Sequence, residues 1–144
     1  MVTLEVGAGT GGTASSVLPV LDGMCERYIF TDVSEAFLRQ ARVRFSIYKF
    51  VEYALLNIDA DPCLQGVALY QCDVVIATNV LHATPFMRNT LHSCERLLRV
   101  GGMLIVNKLA VLHPSVAVVR SLESKAKGLS TRMQTQLFSP LKAS

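Results

Sequence analysis

A short apolar run, Val2-Thr3-Leu4-Glu5-Val6, breaks straight into Gly7-Ala8-Gly9-Thr10-Gly11-Gly12, and this junction narrows what the chain can become. Clustered glycines end a strand and permit the tight reversal that feeds a helix. Apolar residues then recur at helical spacing over 13–21, closed by Asp22-Gly23. A strand, a glycine turn and a helix in that order open a βαβ unit. A turn cradling a pyrophosphate is expected to read GxGxxG, with the helix N-terminus aimed at phosphate. Here the G-x-G start is present, the close differs, and the carboxylate of Glu5 stands two positions before Gly7. That carboxylate is badly placed for an anion. It suits a ligand bearing ammonium and sulfonium charge, such as S-adenosylmethionine, with its amino-acid end along the backbone of Gly7 and Gly9. The plainer reading is a tight turn with no ligand.

The rest of the chain repeats the unit. Tyr28-Ile29-Phe30-Thr31-Asp32 reads as a second strand, and Ser34 as the N-cap of a helix through about Phe45, with Glu35 in its first turn. A weaker third strand covers 53–58, before the turn Asp59-Ala60-Asp61-Pro62. Residues 73–78 form a near-continuous apolar strand suited to burial on both faces. Pro85 suits a helix start, and Met87, Leu91, Cys94, Leu97 and Leu98 give that helix an apolar stripe ending near Gly101-Gly102. Residues 103–106 make a fifth strand. Such alternation with short connections predicts an α/β fold, a Rossmann-like doubly wound, mostly parallel sheet with helices on both faces. The core is expected over 1–108. The segment 109–144 is divergent, with a turn at His113-Pro114, a helix over 115–127 and a frayed tail, so the last strands of the sheet look truncated.

Composition removes other classes. The chain is 144 residues, 51% hydrophobic and 17% charged, which is one globular domain rather than a disordered chain. A net charge of +3 without a compact Lys/Arg stripe argues against nucleic-acid binding. No apolar run approaches the length of about 18 residues that a membrane span needs. Cys25, Cys63, Cys72 and Cys94 lack metal-ligand spacing, so they read as free thiols of a reducing, cytoplasmic compartment.

Further candidates lie at strand ends. Asp32 comes 20 residues after Gly12, where a carboxylate accepts from both ribose hydroxyls. Asn57 and Asp59 end the third strand, where an adenine amino group finds an acceptor, and Asn79 follows the fourth strand at the carboxyl edge where such sheets bind ligands. Each has an alternative as a capping or turn residue.

Taken together, LEVGAGTGGTASSVLPVL, YIFTDVSEAFLRQARVRF, DVVIATNVLHAT and LLRVGGMLIVN resemble the C-methyltransferase domain of modular polyketide synthases, within the class I S-adenosylmethionine-dependent methyltransferases, over about 2–108. Asn79-Val80-Leu81-His82-Ala83-Thr84 is the most specific phrase. The resemblance implies methylation of the α-carbon of a β-ketoacyl chain on an acyl carrier protein, with neighbouring synthase domains as partners. It also implies His82 as the general base that forms the enolate, and an N-terminal lid before this core. The α-carbon between a ketone and a thioester is acidic, and a neutral histidine is a suitable base near pH 7. His92 and His113 read as structural.

The family orients its histidine with a glutamate at the end of strand five. Lys108 holds that position here, after Asn107, and a cation there depresses the pKa of His82 and cannot support imidazolium. Asn57 stands where the family commonly has aspartate. Lys108 thus supports a second reading, a degenerate domain that keeps the fold and the cofactor without catalysis. A stand-alone O- or N-methyltransferase is a third, and the NVLHAT phrase argues against it.

Overall fold

The computed structural model describes residues 1–78, 80, 87–110, 113–120 and 134–138, with side chains over 1–78, 80 and 88–106. Asn79, His82 and Pro85 lie outside the described residues, and Lys108 is described in its backbone alone.

The chain runs β1 (Val2–Glu5), α1 (Gly12–Leu21), β2 (Arg27–Asp32), α2 (Glu35–Arg44), β3 (Val51–Leu55), a 3-10 turn (Pro62–Gln65), β4 (Cys72–Thr78), α3 (Met87–Leu97), β5 (Leu98–Ala110), β6 (His113–Arg120) and β7 (Gln134–Phe138). The strands form one sheet in the order β3-β2-β1-β4-β5-β6-β7. β1 through β5 are parallel, and β6 and β7 join antiparallel at the β5 edge. β1 lies inside the sheet, so the chain reverses its direction of travel between β3 and β4, and the carboxyl ends of β1 and β4 meet beside the glycine turn. Open α/β sheets bind ligands in that crevice.

Burial follows the pleat. Leu4 and Val6 point to one face, where Val75, Ala77, Leu104 and Val106 meet Cys94 and Leu97 of α3. Tyr28 and Phe30 point to the other, against Ala14 and Leu18 of α1 and Leu38, Ala41 and Phe45 of α2. Leu4, Leu18, Leu97 and Leu104 are each fully buried, at about 2 kcal/mol of transfer free energy apiece.

Local expectations shift in several places, among them the turn expected at His113-Pro114 and the frayed tail, which are corrected to β6 and, over Gln134–Phe138, to β7. The third strand is centred earlier, over Val51–Leu55, because its register is set by pairing with β2 from Tyr28↔Val51 to Asp32↔Leu55. α3 stops at Leu97, short of Gly101-Gly102, because Leu98 already pairs with Cys72 of β4 and a bulge follows before Val74↔Met103. Ser34 precedes α2 without a side-chain cap, and its N–H instead donates to Asp32. The helix expected over 115–127 is corrected over its described part. Residues His113–Arg120 are strand β6, paired from Met103↔Arg120 to Ala110↔His113. The short apolar run Val116-Ala117-Val118-Val119 does not tell helix from strand by period, its β-branched residues favour strand, and an open β5 edge gives it a partner.

Candidate cofactor-binding site

The glycine turn crosses the carboxyl end of β1 and is held from three sides. The Val6 N–H donates to the Ile76 carbonyl of β4 at 2.8 Å, and the Ala8 N–H donates to the Thr31 carbonyl of β2 at 2.9 Å. From α2, the Arg44 guanidinium donates to the Thr10 carbonyl at 2.7 Å. Gly9 has φ +55°, a conformation glycine adopts without strain, and a Cβ built there meets nothing within 4 Å. That open space leaves the backbone at Gly9 accessible to close approach. Gly11, at φ +81°, is tight instead: its Cβ would stand 2.7 Å from the Phe45 ring.

Glu5 ends β1 with its side chain fully buried. Its Oε2 accepts from the Tyr28 hydroxyl at 2.7 Å, while Oε1 is buried without a hydrogen-bond partner among the described residues. Burial pushes its carboxyl up to about 7, against the pull of the Tyr28 and Thr13 hydroxyls, and the Asp32 charge adds to the rise. An unpartnered buried carboxylate oxygen is costly, and a cationic group brought to it relieves that cost. Glu5 therefore fits the ammonium-bearing ligand that its place before the turn suggests.

Asp32 ends β2 and is buried. Its Oδ2 accepts from the Gly9 N–H and its Oδ1 from the Ser34 N–H, both at 2.8 Å. One carboxylate thus ties the glycine turn to the start of α2, and each oxygen keeps a second lone pair for a hydroxyl donor. Asn57 is exposed beyond β3, where its Oδ1 accepts from the Asp59 N–H at 3.1 Å. Asp59 Oδ1 accepts from the Thr90 hydroxyl of α3 at 2.8 Å, so this carboxylate also fastens loop to helix.

β4 delivers its end onto the turn. The Thr78 and Thr13 hydroxyls lie 2.8 Å apart, and Val80 packs so closely over Gly7 that a Cβ there would stand 2.5 Å from Val80 Cγ2. Glu5, Gly7, Gly9 and Asp32 thereby gather at one edge of the sheet, with Asn57 and Asp59 beyond the neighbouring strand. Sequence reading missed Tyr28, Thr13, Thr78 and Thr90, whose roles depend on strand register and carry no local signature.

The family described as methyltransferase domain matches residues 4–104, from β1 through β5. The chain belongs to this family. Among relatives, this methyltransferase domain is 44% identical over 113 residues to squalestatin hexaketide synthase of Phoma sp., covering 75% of this chain and 4% of that protein. It is 48% identical over 111 residues to polyketide synthase ThaG of Burkholderia thailandensis, covering 74% of this chain and 2% of that protein. The chain thus spans a small fraction of these relatives. Of solved structures, the CurJ carbon methyltransferase superposes with a TM-score of 0.73 at 44% identity, over 75% of this chain and 29% of that one. The CalH trans-methyltransferase, solved in complex with SAH, gives 0.73 at 44% identity, over 75% and 32%. The citrinin polyketide synthase CMeT domain gives 0.68 at 35% identity, over 75% and 28%. Among the described residues, no helix is long and apolar enough to cross a membrane.

Proposed function

We propose that this methyltransferase domain is the S-adenosylmethionine-dependent carbon methyltransferase of a polyketide synthase, acting on the α-carbon of a β-ketoacyl thioester carried by an acyl carrier protein, beside neighbouring synthase domains. One observation carries the reading: Thr78 at the end of β4 meets Thr13 at the start of α1, and Val80 just beyond β4 packs over Gly7 of the glycine turn. The NVLHAT segment that follows therefore starts beside the turn that would hold the methyl donor. Its relatives named polyketide synthases and neighbours named carbon methyltransferases support the same substrate class.

S-adenosylmethionine supplies an electrophilic methyl on a sulfonium. The chain's residues do the rest. Glu5 would face the ammonium, Gly7 and Gly9 would run along the amino-acid end, Asp32 would accept from the ribose hydroxyls, and Asn57 and Asp59 would line the adenine side, with Asn79 at the carboxyl edge after β4. His82 would take the α-proton, and the enolate so formed would be the nucleophile for the methyl that S-adenosylmethionine supplies. The proton rests on the imidazole until it is lost to solvent. Four free cysteines, Cys25, Cys63, Cys72 and Cys94, support a cytoplasmic setting.

The test is methyl transfer to a β-ketoacyl thioester by the protein and by His82→Ala. We expect His82→Ala to lose at least about 100-fold in rate while still binding S-adenosylhomocysteine. Equal rates in the two proteins would exclude His82 as base, and absence of cofactor binding by the unmodified protein would exclude the function.

A further inference from the structure

Gln65 ends the turn Pro62–Gln65, which Asp61 caps by accepting the Cys63 N–H at 2.9 Å. Its amide reaches back to the loop after β3. Gln65 Oε1 accepts from the Asn57 N–H at 2.8 Å, and Nε2 donates to the Asn57 carbonyl at 2.8 Å and to the Asp61 carbonyl at 3.2 Å. One side chain thus pairs both backbone groups of Asn57, as an adjacent strand would. Among the described residues no strand does this beyond Leu55, where β3 ends at the edge of the sheet.

The consequence is a fixed Asn57. Its backbone is held by Gln65, and its side-chain oxygen by the Asp59 N–H, with Asp59 itself held by Thr90. Asn57 is exposed, and its side-chain amide presents a donor and an acceptor side by side. Adenine offers the complementary pair, an amino donor beside a ring-nitrogen acceptor, which is the pairing asparagine makes with that base elsewhere. Misplacement by about 1 Å is enough to lose such a bidentate contact.

We infer that Gln65 is a positioning residue for base recognition: it holds Asn57 so that the site selects adenine, an inference that rests on the methyltransferase reading above. Gln65 acts through Asn57.

Two ligands separate this role from simple loop support: S-adenosylhomocysteine and its inosine counterpart, which has an oxo group in place of the amino group. Affinities measured by calorimetry should favour adenine by at least about tenfold in the unmodified protein. In Gln65→Met, of similar length but without hydrogen-bonding groups, we expect affinity for the adenine ligand to fall about tenfold while the inosine ligand changes less than about threefold. Gln65→Glu keeps the acceptor for the Asn57 N–H and loses the donor, so its ratio should lie between the two. A Gln65→Met protein that weakens both ligands equally, keeping the ratio, overturns the inference and leaves a structural role. If Gln65→Met does not fold, an unchanged ratio in Gln65→Glu overturns it. An unmodified protein that binds neither ligand overturns the methyltransferase reading itself. One that binds both equally overturns the inference and leaves the methyltransferase reading standing.

Discussion

The Tyr28 hydroxyl donates to Glu5 Oε2 at 2.7 Å, joining β2 to β1 at a point where both side chains are fully buried. Burial and the Glu5 charge push the Tyr28 phenol well above its ordinary range, so it stays a donor at all working pH values. The other carboxylate oxygen has no partner among the described residues. Glu5 is thus a buried acid with one oxygen held by Tyr28 and the Thr13 hydroxyl near the carboxyl.

Its pH behaviour follows. The Glu5 carboxyl titrates near 7 in the folded protein against 4.5 when unfolded, so folding favours the protonated form. That contribution is fully present below about 4.5 and is lost as pH rises through about 7, a swing of about 3 kcal/mol. Urea unfolding of the unmodified protein and Glu5→Gln across this window should show the difference in stability moving toward the glutamine variant as pH rises, then levelling above 7. A difference constant with pH would show that Glu5 is not the buried acid described. Because an ammonium ligand favours the carboxylate, Glu5→Gln should also weaken S-adenosylhomocysteine by on the order of tenfold at pH 8.

Two glycines of the same turn should fail differently when given a methyl group. Gly11→Ala puts Cβ 2.7 Å from the Phe45 ring at φ +81°, so we expect a loss of about 2 kcal/mol or more in denaturant unfolding. Gly9→Ala meets no atom within 4 Å and bears only the left-handed strain at φ +55°, about 1 kcal/mol. Its cost should appear in binding, as at least a tenfold loss of cofactor affinity. Equal cofactor affinity in Gly9→Ala and the unmodified protein would mean that the open space beside Gly9 is not the ligand's.

These contrasts mark what was legible in the sequence. The turn, the two strands and helices after it and the buried fourth strand announce themselves locally, through glycine clustering and apolar period. Glu5 and Asp32 were readable as strand-end carboxylates. Their partners were not, because Tyr28 reaches Glu5 only through the register Glu5↔Phe30, which no local pattern encodes. Gln65 was invisible for the same reason: a side-chain amide pairing with backbone eight residues away has no spacing rule. β6 was misread as helix because its apolar run fits either period until β5 supplies an edge.

Asp32 ties the glycine turn to α2 and is the proposed ribose acceptor, and its isostere should expose both roles. In Asp32→Asn one oxygen becomes an NH2, which then faces the Gly9 or the Ser34 N–H, donor against donor. Loss of a buried charge-assisted bond predicts about 1–3 kcal/mol of destabilisation in chemical unfolding. Cofactor affinity should fall by about tenfold or more, since a ribose acceptor is lost as well. Unchanged stability would mean that the Asp32 bonds to the turn and to α2 are not worth their geometry.

Lys108 is expected to bear on rate. Asn107 of β5 pairs with Thr78, the last residue of β4, so Lys108 follows one residue beyond that pair, at the edge where the NVLHAT segment begins. On the proposed role of His82 as base, a cation at position 108 is expected to favour the neutral imidazole and to oppose the charge gained with the α-proton. Lys108→Glu reverses both effects. The methyl-transfer rate under single turnover should rise about tenfold or more at pH 8, and the acidic limb of the pH–rate profile should move up by about one unit, because the carboxylate stabilises imidazolium. The two changes must appear together. A faster rate with an unmoved limb would place the effect of Lys108 on substrate binding. An unchanged rate and limb would mean that residue 108 does not govern the base.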